Sequence, residues 1–304
     1  MRHVAGIDSG SAFTKAVIIR QRDSNRPPAV LGRAMVRTGV NMDTSARAAL
    51  DAAVKDARLK PDDVSYVAAT GFGRYGIGFR DIQITEITSG ARGAYYLHPK
   101  PSLLLDIGSQ STRAIAMKEA GKVRSFKTND KCAAGSGSFI QRAAKYLQIE
   151  IDEVGELALN SENPQPISSV CAVLAESEII NHVSAGVNLE DIMRGIYDSL
   201  ADRAALLLKR VEKHQRIGSQ TDPPAGNGTS SGGDTGSRAD KATGSGAVDA
   251  QKEVLFIGGV ATQSGMVKAL EDRLGIKVTV PLDCEYVCAL GAALLGLKRL
   301  EART

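Results

Sequence analysis

The sequence is poor in several residue types that mark particular classes of protein. It has no tryptophan, aromatic residues make up only 4% of it, and four cysteines are spread over 304 residues. No apolar run approaches the roughly 20 residues that a membrane-spanning helix needs, and the N-terminus lacks the apolar segment of a signal peptide. We therefore expect a cytoplasmic protein with no membrane partner, in which the cysteines do not form a disulfide framework.

Neither sign of charge dominates the chain. It has 38 basic and 34 acidic residues, a net charge of +4, and the basic residues are scattered among acidic ones. This pattern argues against a nucleic-acid partner. A chain of 304 residues can bury a large core, and its length predicts about two compact units.

The chain contains an internal repeat of two short strands joined by a polar turn. The two copies are GIDSGSAFTKAVI, from residue 6, and LDIGSQSTRAIAM, from residue 105. Each has an Asp at the end of an apolar strand and Gly and Ser in the turn. The run VSYVAATG predicts a further strand, and SARAALDAAVKDARL predicts a helix. The predicted fold class is α/β, with two similar half-domains that face a cleft.

A segment rich in Gly and Ser interrupts the second half of the chain. Between residues 218 and 250 the only aliphatic residue larger than Ala is Val248, so we interpret this segment as a flexible insertion. EVLFIGGVATQSGMVKALEDRLG follows it and predicts a strand, a Gly-Gly turn and a helix. The predicted half-domains are 1–100 and 101–284, with a buried C-terminal helix at about 285–304 that packs back on the first. Other helical patterns lie at 138–148, 171–185 and 189–214.

The two turns carry residue types that bind phosphate and Mg²⁺. Glycine lets backbone N–H groups approach phosphate closely, Ser11 and Thr14 can donate to it, and Lys15 can neutralise it. Asp8 can hold Mg²⁺ directly or through water, and Asp106 supplies a second carboxylate from the other half. One such turn is more often a plain polar hairpin, whereas two in a repeat, followed by FIGGVATQSG, are more specific.

The chain lacks the GxxxxGK[ST] motif of P-loop proteins and a GxGxxG placed between a strand and a helix. Its combination of turns resembles the superfamily of actin and hexokinase, whose half-domains have a ribonuclease H-like fold. This resemblance implies that ATP or ADP, with Mg²⁺, binds in the cleft between the halves. It also implies that the late turn at Gly258 and Gly259 lies against the nucleoside.

Two of the cysteines, Cys132 and Cys171, each precede a predicted helix. Free N–H groups and the helix dipole stabilise a thiolate, or an anionic cluster held by it, at such a position. Two ligands cannot complete a four-thiolate site, so a cluster here would need two more cysteines from a second chain. Isolated cysteines are more often buried core residues, and we interpret Cys284 and Cys288 in that way.

The stretches NDKCAAGSGSF, SSVCAVLAESEII and FIGGVATQSGMVKALEDRLG resemble, in this order, the BadF/BadG/BcrA/BcrD-type ATPases. These are activators of 2-hydroxyacyl-CoA dehydratases and ATPase subunits of benzoyl-CoA reductase. The resemblance implies one 4Fe-4S cluster shared by two subunits, each contributing the cysteines that match Cys132 and Cys171. It also implies that ATP hydrolysis drives electrons from ferredoxin or flavodoxin to a catalytic partner.

The resemblance assigns further residues to the nucleotide site. Asp106 and Gly108 match its second phosphate turn, which in the family usually reads DIGGQD. Here the turn reads DIGSQS, with Ser109 for the second Gly and Ser111 for the last Asp, so nucleotide binding is better supported than hydrolysis. The resemblance places the first phosphate turn at Ser11, Ala12, Phe13, Thr14 and Lys15, and the nucleoside turn at Gly258, Gly259 and Gln263.

Four functions remain open from the sequence. SGARGAYYLHP at 89–99 favours an ATPase subunit of benzoyl-CoA reductase type over a homodimeric dehydratase activator. A sugar or carboxylate kinase of the same superfamily is a third alternative, although no carboxylate stands out as its catalytic base. A nucleotide sensor or scaffold that does not hydrolyse ATP is the fourth function, and ATP binding without turnover would support it. The sequence does not identify the CoA thioester.

Overall fold

The computed structural model describes residues 2–23, 26–129, 136–217 and 253–303. Cys132 and the predicted insertion at 218–250 lie outside these residues. Two five-stranded sheets form the framework, with strand orders β3-β2-β1-β4-β5 and β10-β9-β6-β7-β8. The strands are β1 (Arg2–Ser9), β2 (Phe13–Gln21), β3 (Ala29–Arg37), β4 (Val64–Thr70), β5 (Ile82–Gln83), β6 (Leu103–Ile107), β7 (Thr112–Lys118), β8 (Lys122–Asn129), β9 (Glu253–Ile257) and β10 (Lys277–Thr279).

The two sheets have the same topology. In the first, β1 pairs antiparallel with β2 and parallel with β4; in the second, β6 pairs antiparallel with β7 and parallel with β9. The third strand of each half, β3 or β8, extends the antiparallel side, and the last, β5 or β10, extends the parallel side. The α/β fold of two similar half-domains predicted from the repeat is therefore confirmed.

Eight helices cover these sheets in the part of the chain that the structure describes. They are α1 (Met42–Asp56), α2 (Glu86–Leu97), α3 (Gly137–Leu147), α4 (Val154–Leu159), α5 (Ala172–Ser184), α6 (Leu189–Ile217), α7 (Ser264–Leu274) and α8 (Val287–Glu301). The helices predicted from periodicity are all present. Helix α1 begins three residues before its predicted start because the side chain of Asn41 caps it, accepting from the backbone N–H of Thr44.

The outer faces of the sheets bury separate cores. On the first sheet, alanines of α1 such as Ala46 and Ala49 pack on Ile7 and Ile18. On the second sheet, α3, α4, α6 and α7 surround a larger core in which Phe139 is fully buried. Small residues allow α1 to lie close to its sheet, whereas the larger second core uses aromatic and branched side chains.

Two helices, α2 and α8, form a layer between the sheets. Helix α2 follows the first sheet in the chain but packs Ala91 and Ala94 against the second, whereas Ala289 and Ala293 of α8 pack against the first sheet. A Cβ at Gly291 would lie 1.7 Å from the carbonyl oxygen of Ser89, so only glycine permits this close crossing of the two helices. The crossing joins the two half-domains.

None of the helices in the described residues combines the length and the apolar character needed to cross a membrane.

Candidate functional site

A cleft of about 530 Å³ lies where the two repeated hairpins face each other. The two Asp-tipped strand ends, at Asp8 and Asp106, enter it from opposite half-domains, and both carboxylates are largely buried. Most of the residues predicted for the nucleotide site line it. These are Asp8, Ser11, Ala12, Phe13, Lys15, Asp106, Gly108, Gly258, Gly259 and Gln263.

Thr14 was predicted to bind phosphate, but its side chain does not line the cleft. It is fully buried, and its hydroxyl oxygen lies 2.8 Å from that of Thr38. The hydroxyl of Thr38 also donates to the carbonyl of Gly10 over 2.8 Å. Because side chains alternate along a strand, Thr14 points away from the cleft that Lys15 enters. Thr14 thus supports the first turn from behind instead of lining the cleft.

The two hairpin turns have the same backbone hydrogen bond. The N–H of Gly10 donates to the carbonyl of Phe13 over 3.1 Å, and the N–H of Gly108 donates to that of Ser111 over 2.9 Å. The altered second turn, with Ser109 and Ser111, therefore keeps the backbone hydrogen bond of the first. Its changed side chains remove a carboxylate from the turn without changing its backbone pairing.

Each carboxylate sits against a glycine with positive φ. Gly71 after β4 and Gly258 after β9 both have φ 92°. A Cβ at Gly71 would lie 2.6 Å from an oxygen of Asp8, and one at Gly258 would lie 2.6 Å from an oxygen of Asp106. A side chain would be strained here and would also displace the carboxylate. Gly258 was predicted from the Gly-Gly turn, but its counterpart Gly71 was not.

A cation accompanies each carboxylate. The ammonium nitrogen of Lys15 lies 3.6 Å from Asp8, and a guanidinium nitrogen of Arg113 lies 2.9 Å from Asp106. Burial alone lowers the pKa of Lys15 and of Arg113, but the neighbouring carboxylates outweigh it and raise both pKa values. Both side chains therefore carry positive charge in the cleft.

Asp106 is buried deeply enough that desolvation raises its pKa, while the charge of Arg113 opposes that rise. The thiol of Cys288 lies 3.9 Å from the same carboxylate. Burial raises the pKa of Cys284 to about 11 and that of Cys288 well above its usual range, so both thiols stay protonated. This agrees with their interpretation as packing residues, although both also line the cleft.

Arg113 and Glu86 also line this end of the cleft, and neither was predicted from the sequence. Glu86 is the first residue of α2 and accepts from Arg113 over 3.1 Å and from Arg74 over 2.9 Å. Arg74 also donates to the carbonyl of Gly71 over 2.8 Å. The position of Arg113 in the repeat, matching that of Lys15, is a signal that could have identified it.

The lining of the cleft also includes apolar side chains. These are Ile140, Ile151 and Val260, which suit contact with a flat aromatic base. The side chain of Gln263 accepts from the hydroxyl of Tyr197 over 3.2 Å and donates to the carbonyl of Ile151 over 3.4 Å. These bonds hold the turn that was predicted to contact the nucleoside.

Cys171 lies at a different place, as the residue that caps the N-terminus of α5. Its thiol is free and partly buried, and no side-chain cap hydrogen bond occupies this helix end. Within the described ranges, no group of three or more His, Cys, Asp or Glu residues could hold a metal ion. A partly accessible thiol at a helix N-terminus fits an iron-sulfur ligand whose other ligands come from elsewhere.

Two hairpins of one topology, each with a buried Asp facing a shared cleft, define an actin-like ATPase fold. Residues 5–220 match the BadF/BadG/BcrA/BcrD ATPase family, and the chain belongs to that family.

Similar proteins of known activity cover nearly the whole chain. The activator of lactoyl-CoA dehydratase from Anaerotignum propionicum is 35% identical over 99% of this chain and 100% of its own length. A benzoyl-CoA reductase subunit from Thauera aromatica is 35% identical over 99% of this chain and 95% of its own length. Because these two identities are equal, they do not show whether this chain is more similar to the activators or to the reductase subunits.

A solved structure extends the similarity to three dimensions. The activator of 2-hydroxyisocaproyl-CoA dehydratase from Clostridium difficile, with bound ADPNP, has a TM-score of 0.79 and 29% identity. The match covers 99% of this chain and 96% of that one. ATP or ADP binding by this chain is supported by this ADPNP-bound neighbour and by the ATPase family.

Proposed function

We propose that this protein is an ATP-hydrolysing subunit that drives low-potential electrons to a separate catalytic partner of benzoyl-CoA reductase type. In this proposal ferredoxin or flavodoxin supplies the electrons, and the partner contains the pocket for the CoA thioester. The observation that carries ATP hydrolysis is the cleft in which Asp8 with Lys15 faces Asp106 with Arg113, and the similarity to a benzoyl-CoA reductase subunit supports the electron-transfer role. Paired carboxylates and cations suit a Mg²⁺-bound triphosphate.

Hydrogen bonds connect the second phosphate turn to α3. The backbone N–H groups of Gly137 and Ser138, at the start of this helix, donate to the carbonyls of Gly108 and Ser109 over 2.9 and 2.8 Å. A change in the turn upon ATP hydrolysis would therefore move the first residues of α3. Cys132 lies a few residues before that helix in the sequence. This connection supports coupling between nucleotide state and the predicted cluster ligands.

The helices after the two cysteines also contact each other. Arg142 of α3 forms an ion pair of 2.8 Å with Glu176 of α5, the helix that Cys171 caps. In our proposal this pair transmits the movement of α3 to α5. The chain's own residues thus provide a continuous path from the phosphate turn to Cys171.

The exposed face of α5 supports a second subunit. Five apolar side chains in and just before this helix are between 47% and 81% exposed: Val170, Val173, Leu174, Ile180 and Val183. Such a group of exposed apolar residues is typical of an interface between proteins. Because Cys171 lies at the start of the same helix, a related subunit bound here would bring its own cysteines near it.

Cys171 and Cys132 would hold one half of a 4Fe-4S cluster, with the other half held by the second subunit. The cluster supplies a one-electron carrier of low potential when bound. The chain itself supplies the thiolates, the helix N-termini that stabilise negative charge, and the nucleotide-dependent movement.

Iron analysis of anaerobically purified protein tests this proposal. We expect about four iron and four sulfide per two chains, in keeping with one shared cluster. Cys171→Ala and Cys132→Ala should lose the iron and its EPR signal, whereas Cys284→Ala, which removes a buried thiol, should retain both. Colourless, iron-free protein that still hydrolyses ATP would exclude the electron-transfer role and favour a kinase.

A homodimeric dehydratase activator is the second candidate, supported by the similarity to the activator of lactoyl-CoA dehydratase and to the solved activator of 2-hydroxyisocaproyl-CoA dehydratase. Purification from the native source separates the two candidates. A stable complex with a second ATPase chain and catalytic subunits supports the reductase type. A homodimer that joins its catalytic partner only transiently supports the activator.

A further inference from the structure

The repeat pairs one cation with each carboxylate at the same register. Asp8 lies opposite Lys15 in the β1–β2 hairpin, and Asp106 lies opposite Arg113 in the β6–β7 hairpin. In both hairpins the carboxylate is followed two residues later by the glycine whose N–H closes the turn. Lys15 and Arg113 are therefore equivalent positions of a duplicated unit, one on each side of the cleft.

Two carboxylates hold the guanidinium of Arg113 in place. One terminal nitrogen donates to Asp106 over 2.9 Å, and the other donates to Glu86 over 3.1 Å. These bonds occupy two of the five N–H donors of an arginine. Because the side chain lines the cleft and is 16% exposed, its other donors have access to a bound molecule.

The surroundings of Arg113 favour a phosphate as that molecule. The guanidinium is planar and forms paired, charge-assisted hydrogen bonds with phosphate oxygens. Lys15 enters the same cleft from the first half-domain, and its charge, like that of Arg113, acts on Asp106. A phosphate held between the two hairpins would meet one cation from each half-domain.

We propose that Arg113 is the second phosphate-binding cation of the cleft, the counterpart of Lys15, and that it contacts the terminal phosphate of ATP. This inference rests on the proposed nucleotide binding and deepens it. Contact with the terminal phosphate lets the cleft distinguish ATP from ADP. It also places a positive charge from the second half-domain close to the turn in which Ser111 stands in place of a second carboxylate.

If Arg113 only formed a structural ion pair, its removal would weaken the binding of ADP and of an ATP analogue equally. If it contacts the terminal phosphate, its removal weakens the binding of the ATP analogue more. The two affinities therefore separate these roles. Binding of ADP and of a non-hydrolysable ATP analogue, each with Mg²⁺, is measured by calorimetry on the full chain. Arg113→Gln should weaken binding of the ATP analogue about tenfold, because one charge-assisted hydrogen bond is lost. It should change the affinity for ADP less than about threefold. Arg113→Lys keeps the charge and should show the same selective loss to a smaller extent.

Arg74→Gln is the matched control because Arg74 also pairs with Glu86 but does not line the cleft. It should leave the ratio of the two affinities unchanged. Equal weakening of both nucleotides in Arg113→Lys, or no weakening in a folded Arg113→Gln, would overturn the inference. Failure of the wild-type protein to bind either nucleotide would instead overturn the proposed function on which the inference rests.

Discussion

The two half-domains share a nucleotide-binding unit but differ in what is inserted behind it. Each unit consists of an Asp-tipped hairpin and a positive-φ glycine from the neighbouring parallel strand, Gly71 or Gly258. Between the third and fourth strands the first half has the single long helix α1. Among the residues that the structure describes, the second half has four helices at the corresponding place, α3 to α6, and both cysteines proposed as cluster ligands lie there in the sequence.

This difference separates the part of the chain that forms the cleft from the helices that are available for a further task. The duplicated unit makes the cleft, with one copy from each half-domain. The inserted helices of the second half are free to serve a further task, and they begin directly at the second phosphate turn through the bonds to Gly137 and Ser138. Coupling is thus expected from the second half-domain alone.

The largest expected loss of stability comes from replacing Gly71 or Gly258. Gly71→Ala and Gly258→Ala should each cost about 4 kcal/mol of stability, the sum of a strained backbone and an overlap with a carbonyl and a carboxylate. Both should also weaken ATP binding, because each displaces an Asp. Urea unfolding and calorimetry measure these effects.

Gly275→Ala is the control for the glycine variants. Gly275 has φ 66°, and no atom lies within 4 Å of the place that an added Cβ would take, so the change should cost only about 1 kcal/mol. If Gly71→Ala proved as mild as this control while Gly258→Ala did not, the two units would not be equivalent.

The carboxylates should differ in their contribution to stability. Asp106→Asn breaks a buried ion pair and should cost about 3 kcal/mol, whereas Asp8→Asn loses a longer contact and should cost about 1 kcal/mol. Both variants should nevertheless lose most of the ATPase activity, because each removes one of the two facing carboxylates. Thermal unfolding combined with phosphate-release assays checks this, and equal stability losses would contradict the asymmetry.

The smallest effect concerns acid stability. Asp43 in α1 accepts from the N–H of Gly78 over 2.7 Å, and Asp191 in α6 accepts from the N–H of Asn163 over 2.8 Å. The pKa of Asp43 is lowered chiefly by the backbone hydrogen bond from Gly78, and that of Asp191 chiefly by the hydroxyl of Ser161. Since the folded-state pKa values lie below the unfolded ones, their stabilisation is present above the ordinary Asp value of 3.8 and is lost on acidification.

Asp43→Asn and Asp191→Asn should therefore lower the urea midpoint near neutral pH and flatten its fall below about pH 4. Asp51→Asn, at an exposed position of α1, serves as the control and should not flatten the curve. An unchanged acid limb in both variants would show that these two loop contacts are not the source of acid sensitivity.

The predictions succeeded where the signal was local. Alternating apolar residues around Asp8 and Asp106 predicted both hairpins, and the helical pattern at 171–185 predicted α5. Strand β3 was not predicted, and Glu86 was not recognised as a site residue. Glu86 reaches the cleft only because α2 crosses to the second sheet, so no spacing in the sequence indicates its partners Arg74 and Arg113.

The sequence by itself determined the repeated hairpins and the place of each carboxylate, because alternation and Asp-Gly turns act between residues close in the chain. The tertiary structure decided that Thr14 faces Thr38 behind the cleft. It also decided that Gly71 lies against the carboxylate of Asp8, as Gly258 lies against that of Asp106. It also decided that Arg113 is held between carboxylates of α2 and β6. Most of these contacts join residues far apart in the chain, so they form only when the strands and helices pack together.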